Sequence, residues 1–232
     1  MRKRSSICVL VSGGLDSDVL LAEAAKKYRR VWPVYIRQGL TWEDVELHWL
    51  HRFLLSFRRK PESTIDPGFR RGDIMPLTIL SVPMADLYGA HWSTGKRPVP
   101  GARSPDQAVY LPGRNMALSV KAAVFAAMKK VPVLALGSLD HNPFPDASPR
   151  FFKTWGKALG AGLGTGLKVI APYRRLSKAD VVRRGARLPL HLSFSCISPK
   201  GKLHCGRCNK CAERRRAFKA AKVEDRTVYA KR

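Results

Sequence analysis

The sequence is poor in acidic residues and has no long apolar run. Of its 232 residues, 17 are Asp or Glu and 43 are Lys or Arg, so the formal charge is +26 at pH 7. No stretch approaches the ~18 apolar residues that a membrane-spanning helix needs, so we expect no membrane contact. The apolar run at 7–11, which follows a basic start, is too short for a secretory signal. We therefore expect a cytoplasmic protein.

Both common phosphate-binding glycine motifs are also missing. The chain has neither the G-x-x-x-x-G-K-[ST] loop nor the G-x-G-x-x-G fingerprint. A different turn, Ser12-Gly13-Gly14-Leu15-Asp16-Ser17, joins a predicted strand at 7–11 to a predicted helix. Glycines let the backbone approach a phosphate closely, and a helix start offers unpaired N–H groups and a positive dipole end. We predict a phosphate site here; the alternative is an ordinary Gly-Gly turn capped by serine and aspartate.

Cysteine is scarce except in one short segment. Four of the five cysteines, Cys196, Cys205, Cys208 and Cys211, form the pattern C-x8-C-x2-C-x2-C. Four thiolates in this spacing suit a closed, structural zinc site in a reducing compartment better than a disulfide framework. An iron–sulfur cluster is the first alternative, and free thiols or redox pairs are the second. Cys8 lies inside the first predicted strand, where a small buried side chain is expected.

The excess of basic residues has two interpretations. If they cluster on one surface, they attract polyanions, and nucleic acid is the first candidate. If they are spread evenly, they form only a solvated exterior. The sequence leaves both interpretations open.

The order of apolar segments predicts an α/β fold. Strands are expected at 7–11, 31–36, 77–82, 131–137 and 168–171, with helical patterns between them. This alternation predicts a doubly wound, mainly parallel five-stranded sheet that binds ligands beyond the carboxyl ends of its strands. We predict an ATP-binding α/β domain at 1–190 and a small zinc-binding element with a terminal helix at 191–232.

Two connections between these elements are polar or rich in turn residues. Residues 58–73 are predicted to form a loop. The segment from 85 to 112 is rich in Gly, Pro and Ser, and a connection of that length predicts a functional lid or a mobile segment.

The glycine turn resembles the S-G-G-x-D-S loop of the ATP-pyrophosphatase superfamily. That resemblance implies that the loop binds ATP while the enzyme adenylates an oxygen of its substrate. Together with Arg114 and Asn115 at a predicted helix entrance, it gives this set of ATP-binding residues: Val11, Ser12, Gly13, Gly14, Leu15, Asp16, Ser17, Arg114 and Asn115.

Five motifs occur along the chain in one order. They are the ATP loop, Pro112-Gly113-Arg114-Asn115, Phe144-Pro145-Asp146, Leu176-Ser177-Lys178-Ala179-Asp180, and Ser195-Cys196 followed by the three other cysteines. This order resembles the 7-cyano-7-deazaguanine synthase family, the nitrile-forming ligases of queuosine biosynthesis. The resemblance implies that ATP activates the carboxylate of 7-carboxy-7-deazaguanine as an acyl adenylate. Ammonia then displaces AMP to give an amide, and a second activation dehydrates the amide to the nitrile.

The resemblance also implies roles for individual residues. Asp16, Ser17 and Lys178 are expected to be catalytic, and a magnesium ion is expected at Asp16. Asp140 and Asp146 are expected to bind the substrate. The zinc ligands would be the four cysteines from 196 to 211, and we also expect a homodimer.

Some positions depart from the family pattern. Phe144-Pro145-Asp146-Ala147-Ser148 stands where the family usually has Tyr-Pro-Asp-Cys-Arg, Asp18 replaces a hydroxyl residue, and 89–109 looks like an insertion. Three alternatives therefore stay open. One is a divergent ligase that acts on another carboxylate, and another is a tRNA-modifying enzyme of the same superfamily, for example one that inserts sulfur. The third is a non-catalytic nucleic-acid-binding module, in which the loop and the zinc site only support a basic surface.

Overall fold

The fold is built on one parallel β-sheet. The computed structural model describes residues 4–59, 73–140 and 142–231, so the loop predicted at 58–73 lies almost entirely outside the described residues. The strands are β1 (Arg4–Leu10), β2 (Tyr28–Arg37), β3 (Thr78–Ser81), β4 (Val133–Ala135) and β5 (Lys168–Ile170). The five predicted strands are thereby confirmed.

The helices of the described residues connect these strands or follow the last of them. They are α1 (Leu15–Lys27), α2 (Glu43–Arg59), α3 (Ala85–Tyr88), α4 (Arg114–Met128), α5 (Pro149–Gly162), α6 (Lys178–Arg184) and α7 (Asn209–Ala221). Within the described residues, no helix combines the length and apolar character that crossing a bilayer requires.

The sheet has the strand order β3-β2-β1-β4-β5, and all neighbouring strands are parallel. The predicted doubly wound α/β fold is therefore confirmed. The chain moves outward from β1 through β2 to β3 and then crosses back to β4, so the strand order reverses between β1 and β4. A crevice forms at such a reversal, beyond the carboxyl ends of the strands.

Helices cover both faces of the sheet. On one face, α1, α2, α6 and α7 bury apolar side chains against β1 and β2. On the other face, α4 and α5 pack against Cys8, Leu10, Val34 and Ile36. Cys8 is completely buried, as predicted. Burial of both faces explains why the inner strands are almost continuously apolar.

The long connection after β3 is held against the cysteine segment. Trp92 is buried and stacks on Trp42, with ring centroids 5.5 Å apart. The backbone N–H of Asn209 donates to Pro100 O (2.9 Å), and its side-chain amide donates to Ser104 O (2.8 Å). These contacts tie the connection to the start of α7, and its role as a functional lid or a mobile segment stays a prediction.

The segment from 191 onward is joined closely to the sheet domain. Ala217, Phe218 and Ala221 of α7 belong to the same apolar cluster as β1 and α1. The buried guanidinium of Arg214 donates to Leu190 O (2.7 Å), Ser193 Oγ (2.9 Å) and Thr227 Oγ1 (2.8 Å). The division of the chain after residue 190 stays a prediction.

Candidate active site

The glycine turn follows β1 and leads directly into α1. Gly13 adopts a positive φ of 72°, and a Cβ there would lie 3.1 Å from Glu46 O. Both conditions favour glycine, because other residues rarely adopt this φ and have no room beside α2. The turn is therefore held close to the α2 backbone.

Ser17 closes the turn from inside. Its hydroxyl accepts from the backbone N–H of Ser12 (3.2 Å) and donates to Gly14 O (3.1 Å). The backbone N–H of Phe194 donates to Gly13 O (2.6 Å) from the far side. The loop shape thus depends on a residue two positions before Cys196.

A cavity of about 230 Å³ lies at the carboxyl ends of β1, β2 and β4. Of the predicted ATP-site residues, Val11, Ser12, Asp16, Ser17, Arg114 and Asn115 line it. Gly13, Gly14 and Leu15 shape the turn without lining the cavity. The structure therefore brings the glycine turn and the entrance of α4 to one crevice. Asp16 and Arg114, which both line it, are 98 residues apart in the sequence.

Asp16 and Lys178 form an ion pair beside this cavity. Lys178 Nζ lies 3.2 Å from Asp16 Oδ2 and 3.0 Å from Glu213 Oε1. Lys210 Nζ reaches Glu213 Oε2 at 2.8 Å. The neighbouring carboxylates raise the pKa of Lys178, whereas Lys178 and Lys210 lower the pKa of Glu213 to about 2 despite its burial. Lys178 is thus held as a cation behind Asp16, outside the cavity lining.

One oxygen of Asp16 has no hydrogen-bond partner among the residues that the structure describes. Within the described residues, Oδ1 is buried and makes no hydrogen bond. Burial raises the pKa of Asp16, and the Lys178 ammonium opposes this effect. A cation at Oδ1 would satisfy the oxygen and stabilise the charged carboxylate.

Arg114 is fixed by a residue that the sequence did not single out. Its Nε donates to Oε1 of the buried Gln38 (2.9 Å), which orients the guanidinium at the cavity wall. Tyr35, Glu46, Ser138 and Asn142 also line the cavity without having been predicted. Tyr35 and Glu46 lie far from the recognised motifs, and although Ser138 and Asn142 lie shortly before Phe144, no residue pattern marked them as part of a site.

The two predicted substrate residues lie outside the cavity lining. Asp146 is buried, and its carboxylate accepts from the backbone N–H (2.9 Å) and the side-chain amide (3.4 Å) of Asn115. It therefore satisfies a free N–H group in the first turn of α4. Asp140 is exposed. Substrate contact by either residue stays a prediction.

The four clustered cysteines converge at one point. Their sulfur atoms all lie within 4.8 Å of one another, and the pairs Cys196–Cys208 and Cys205–Cys211 are 3.8 and 3.9 Å apart. Backbone N–H groups donate to the sulfurs, including Cys205 N to Cys196 Sγ (3.3 Å) and Cys208 N to Cys205 Sγ (3.3 Å). Such donors stabilise thiolate charge, so the cluster is suited to bind a metal.

Comparison with known proteins agrees with this geometry. The family model described as "Queuosine biosynthesis protein QueC" matches residues 6–222. The chain belongs to the QueC family. The match includes the glycine turn, the α4 entrance, Lys178 and all four clustered cysteines.

Curated relatives in this family align over almost their whole length. The 7-cyano-7-deazaguanine synthase of Chlorobium phaeovibrioides is 30% identical, over 95% of this chain and 95% of its own. The synthase of Methanococcus maripaludis is 29% identical, over 97% and 98% respectively. A solved structure of a 4-thiouridine synthetase–RNA complex with bound ATP aligns with a TM-score of 0.48 and 15% identity, over 94% of this chain and 50% of that one.

The departure from the family motif at 144–148 has a local structural role here. Ala147 is buried in a short 3-10 turn, and the Ser148 hydroxyl accepts from the backbone N–H of Phe151 (3.1 Å) as the N-cap of α5. Phe144 stacks on Tyr110 with centroids 4.8 Å apart. The replaced residues therefore serve the fold at this position.

Proposed function

We propose that this protein is an ATP-dependent carbon–nitrogen ligase that converts 7-carboxy-7-deazaguanine and ammonia to the nitrile. One observation carries the proposal: the S-G-G-x-D-S turn, Arg114 and Asn115 share one cavity at the reversal point of the sheet. Membership in the QueC family and the synthase names of the relatives support it.

The chemistry explains why such a site is needed. A carboxylate resists attack by ammonia until one oxygen becomes part of a good leaving group, and adenylation supplies AMP for that purpose. Backbone N–H groups of the turn and the α1 start would bind the phosphates, and Arg114 would balance their charge. Lys178 would hold Asp16 in its charged form. Magnesium, when bound, would screen the phosphate charge, and the unpartnered Asp16 Oδ1 suits it as a ligand.

The metal at the cysteine cluster is proposed to be a single zinc ion with a structural role. Four Zn–S bonds of about 2.3 Å in a tetrahedron place the sulfurs about 3.8 Å apart, close to the 3.8 and 3.9 Å of the two sulfur pairs. An iron–sulfur cluster has several metal atoms between its thiolates and so separates them further. With all four ligand positions taken by cysteine, the ion has no open site for catalysis.

Turnover of the proposed substrate is the direct test. Zinc-replete protein given ATP, ammonium and 7-carboxy-7-deazaguanine is expected to form AMP, pyrophosphate, the amide and then the nitrile, with products identified by mass. Asp16→Asn is the control and is expected to lose this activity. If AMP forms with a different carboxylic acid and not with 7-carboxy-7-deazaguanine, the protein is a divergent ligase.

A tRNA-modifying activity is the second candidate, and it accounts for the +26 charge. Trp49 Nε1 on α2 donates to Lys202 O (2.7 Å), and the Arg52 guanidinium lies over the Trp49 ring (4.7 Å to the ring centroid), so basic residues of α2 and of the cysteine segment lie on one surface. Adding tRNA to the same assay separates the two functions. AMP formation that requires tRNA and weakens steeply with salt would replace the ligase proposal.

We also propose that the protein forms a homodimer through α4. Four side chains along one face of this helix are exposed and apolar: Met116, Val120, Val124 and Met128. Their four-residue spacing forms a ridge, and its Met-Val-Val-Met order is the same in both directions. In an antiparallel pair of copies, methionine would face methionine and valine would face valine, as a two-fold interface requires.

Charge placed on this ridge is expected to separate the subunits. In Val120→Glu/Val124→Glu, the new carboxylates would face each other across the two-fold axis and lose their hydration. Sedimentation should then give a monomer mass with unchanged circular dichroism. The matched control is Leu87→Glu, because Leu87 is exposed but lies on α3. A wild-type monomer at micromolar concentration would contradict the proposal.

A further inference from the structure

The proposed reaction removes three protons from one nitrogen atom. Ammonia enters with three hydrogens, the amide keeps two, and the nitrile has none. A role for such protons rests on the proposed function, because only nitrile formation requires the loss of all three protons from the nitrogen. A group in the cavity must therefore accept protons repeatedly, and a general base in contact with the reacting nitrogen is the usual solution.

Two carboxylates occur among the described residues that line the cavity, Asp16 and Glu46. Asp16 is part of the glycine turn, and its Oδ2 is paired with the Lys178 ammonium at 3.2 Å. A carboxylate held in that way is a weak base, because proton uptake would break the ion pair. Glu46 has no such ion pair in the described structure.

Glu46 projects from the first half of α2 toward the carboxyl end of β2. Its side chain is 8% exposed, and Oε2 accepts the Tyr35 hydroxyl hydrogen at 2.8 Å. Tyr35 lines the same cavity, as do Ser12 and Arg114. The carboxylate is therefore oriented by a neutral donor and lies in the wall of the compartment that would hold the reacting groups.

We propose that Glu46 is the general base that takes protons from the nitrogen during amide and nitrile formation. In the first step the C–N bond forms, the C–O bond to AMP breaks, and a proton passes from nitrogen to Glu46. In the second, the amide oxygen bonds to the α-phosphorus of another ATP, pyrophosphate leaves, and a proton leaves the nitrogen. In the third, loss of the last N–H proton forms the C≡N bond as AMP departs. Glu46 returns each proton to water.

The surroundings of Glu46 suit repeated proton transfer. Burial raises its pKa to about 7, while Arg114 on α4 and the Tyr35 hydroxyl oppose the shift. The carboxylate of Glu43 on the same helix raises the pKa of Glu46 further, and the carboxyl group of Asp18 on α1 is also nearby, although burial raises the pKa of Asp18 well above its usual range. Near neutral pH, the group is therefore populated in both the protonated and charged forms, which favours both uptake and release.

A matched pair of variants tests the role. Glu46→Gln is expected to lower amide formation about 10²–10⁴-fold, since glutamine cannot accept the proton. The variant should keep the exchange of pyrophosphate into ATP that requires only the carboxylate substrate and no ammonia. Adenylation of that substrate removes no proton from nitrogen and so needs no base. The control is Glu43→Gln; Glu43 is also buried on α2, but it accepts from the backbone N–H groups of Gln38 and Gly39 (2.6 and 3.3 Å).

The pH dependence provides a second readout. At constant free ammonia, the wild-type rate of amide formation should fall as pH drops below about 7, because Glu46 becomes protonated. Tyr35→Phe removes a donor that stabilises the carboxylate, so this limb should move to higher pH. In Glu46→Gln the limb should be absent.

The outcomes separate the two proposals. Retained exchange with lost amide formation in Glu46→Gln supports the base role. Full amide formation in Glu46→Gln overturns it and leaves the ligase proposal intact. Loss of exchange together with amide formation overturns it as well and makes Glu46 a binding residue. Absence of exchange in the wild type overturns the ligase function itself.

Discussion

Replacing Lys178 by methionine is expected to lower the ATP-dependent rate about 10²–10³-fold, a loss typical of removing one preorganised charged group from an active site. Lys178 is the cation that contacts Asp16, at 3.2 Å, and it also contacts Glu213. Without it, two carboxylates repel each other and the pKa of Asp16 rises further, since burial then has less opposition. Initial rates of AMP release at saturating ATP measure the effect.

Lys210→Met is the matched control for this prediction. Lys210 pairs with the same Glu213, at 2.8 Å, but its ammonium does not form an ion pair with Asp16 in the described structure. Lys210→Met should retain most of the activity. Lys178→Arg should retain part of the activity that Lys178→Met loses, because arginine keeps the positive charge. Equal losses in Lys178→Met and Lys210→Met would show that the Glu213 network as a whole, rather than the contact with Asp16, is required.

Replacing Cys211 by alanine is expected to remove the bound metal and unfold the C-terminal segment. A structural zinc ion contributes about 10–16 kcal/mol of apparent binding free energy. This is comparable to the whole stability of a typical domain, about 5–15 kcal/mol. Metal content by mass spectrometry and urea unfolding followed by circular dichroism should show both losses.

Cys8→Ala provides the comparison for Cys211→Ala. Cys8 is equally buried, but it lies in β1 outside the metal cluster, and burial raises the pKa of its thiol to about 12. This variant should keep one metal ion per chain and lose only about 1 kcal/mol of unfolding free energy. A Cys211→Ala protein that retains its metal and its stability would contradict the assignment of Cys211 as a ligand.

Metal loss should also weaken nucleotide binding. Phe194, two residues before Cys196, donates its backbone N–H to Gly13 O (2.6 Å) in the glycine turn. When the cysteine segment unfolds, this restraint on the turn is lost. The affinity for ATP should therefore fall in Cys211→Ala and stay unchanged in Cys8→Ala.

The sequence alone determined the fold class and located the two motifs whose residues are close along the chain. The inner strands were recognisable because both faces of the sheet are covered there, which requires a nearly continuous apolar run. The edge strands β3 and β5 are only partly buried and were recognised from short apolar segments. The turn at 12–17 and the cysteines at 196–211 were recognisable because backbone geometry and metal ligation need particular residue types at short, regular spacings.

Only the tertiary structure decided which distant residues act together. Glu46 and Tyr35 meet because α2 folds back over the end of β2, and Lys178 meets Glu213 because α6 packs against α7. In the connection from 85 to 112, the carbonyl oxygens of Pro100 and Ser104 accept hydrogen bonds from Asn209, which is more than 100 residues away in the sequence. Such contacts arise from packing between elements and leave no periodic signal in the sequence, so a single chain could not reveal them.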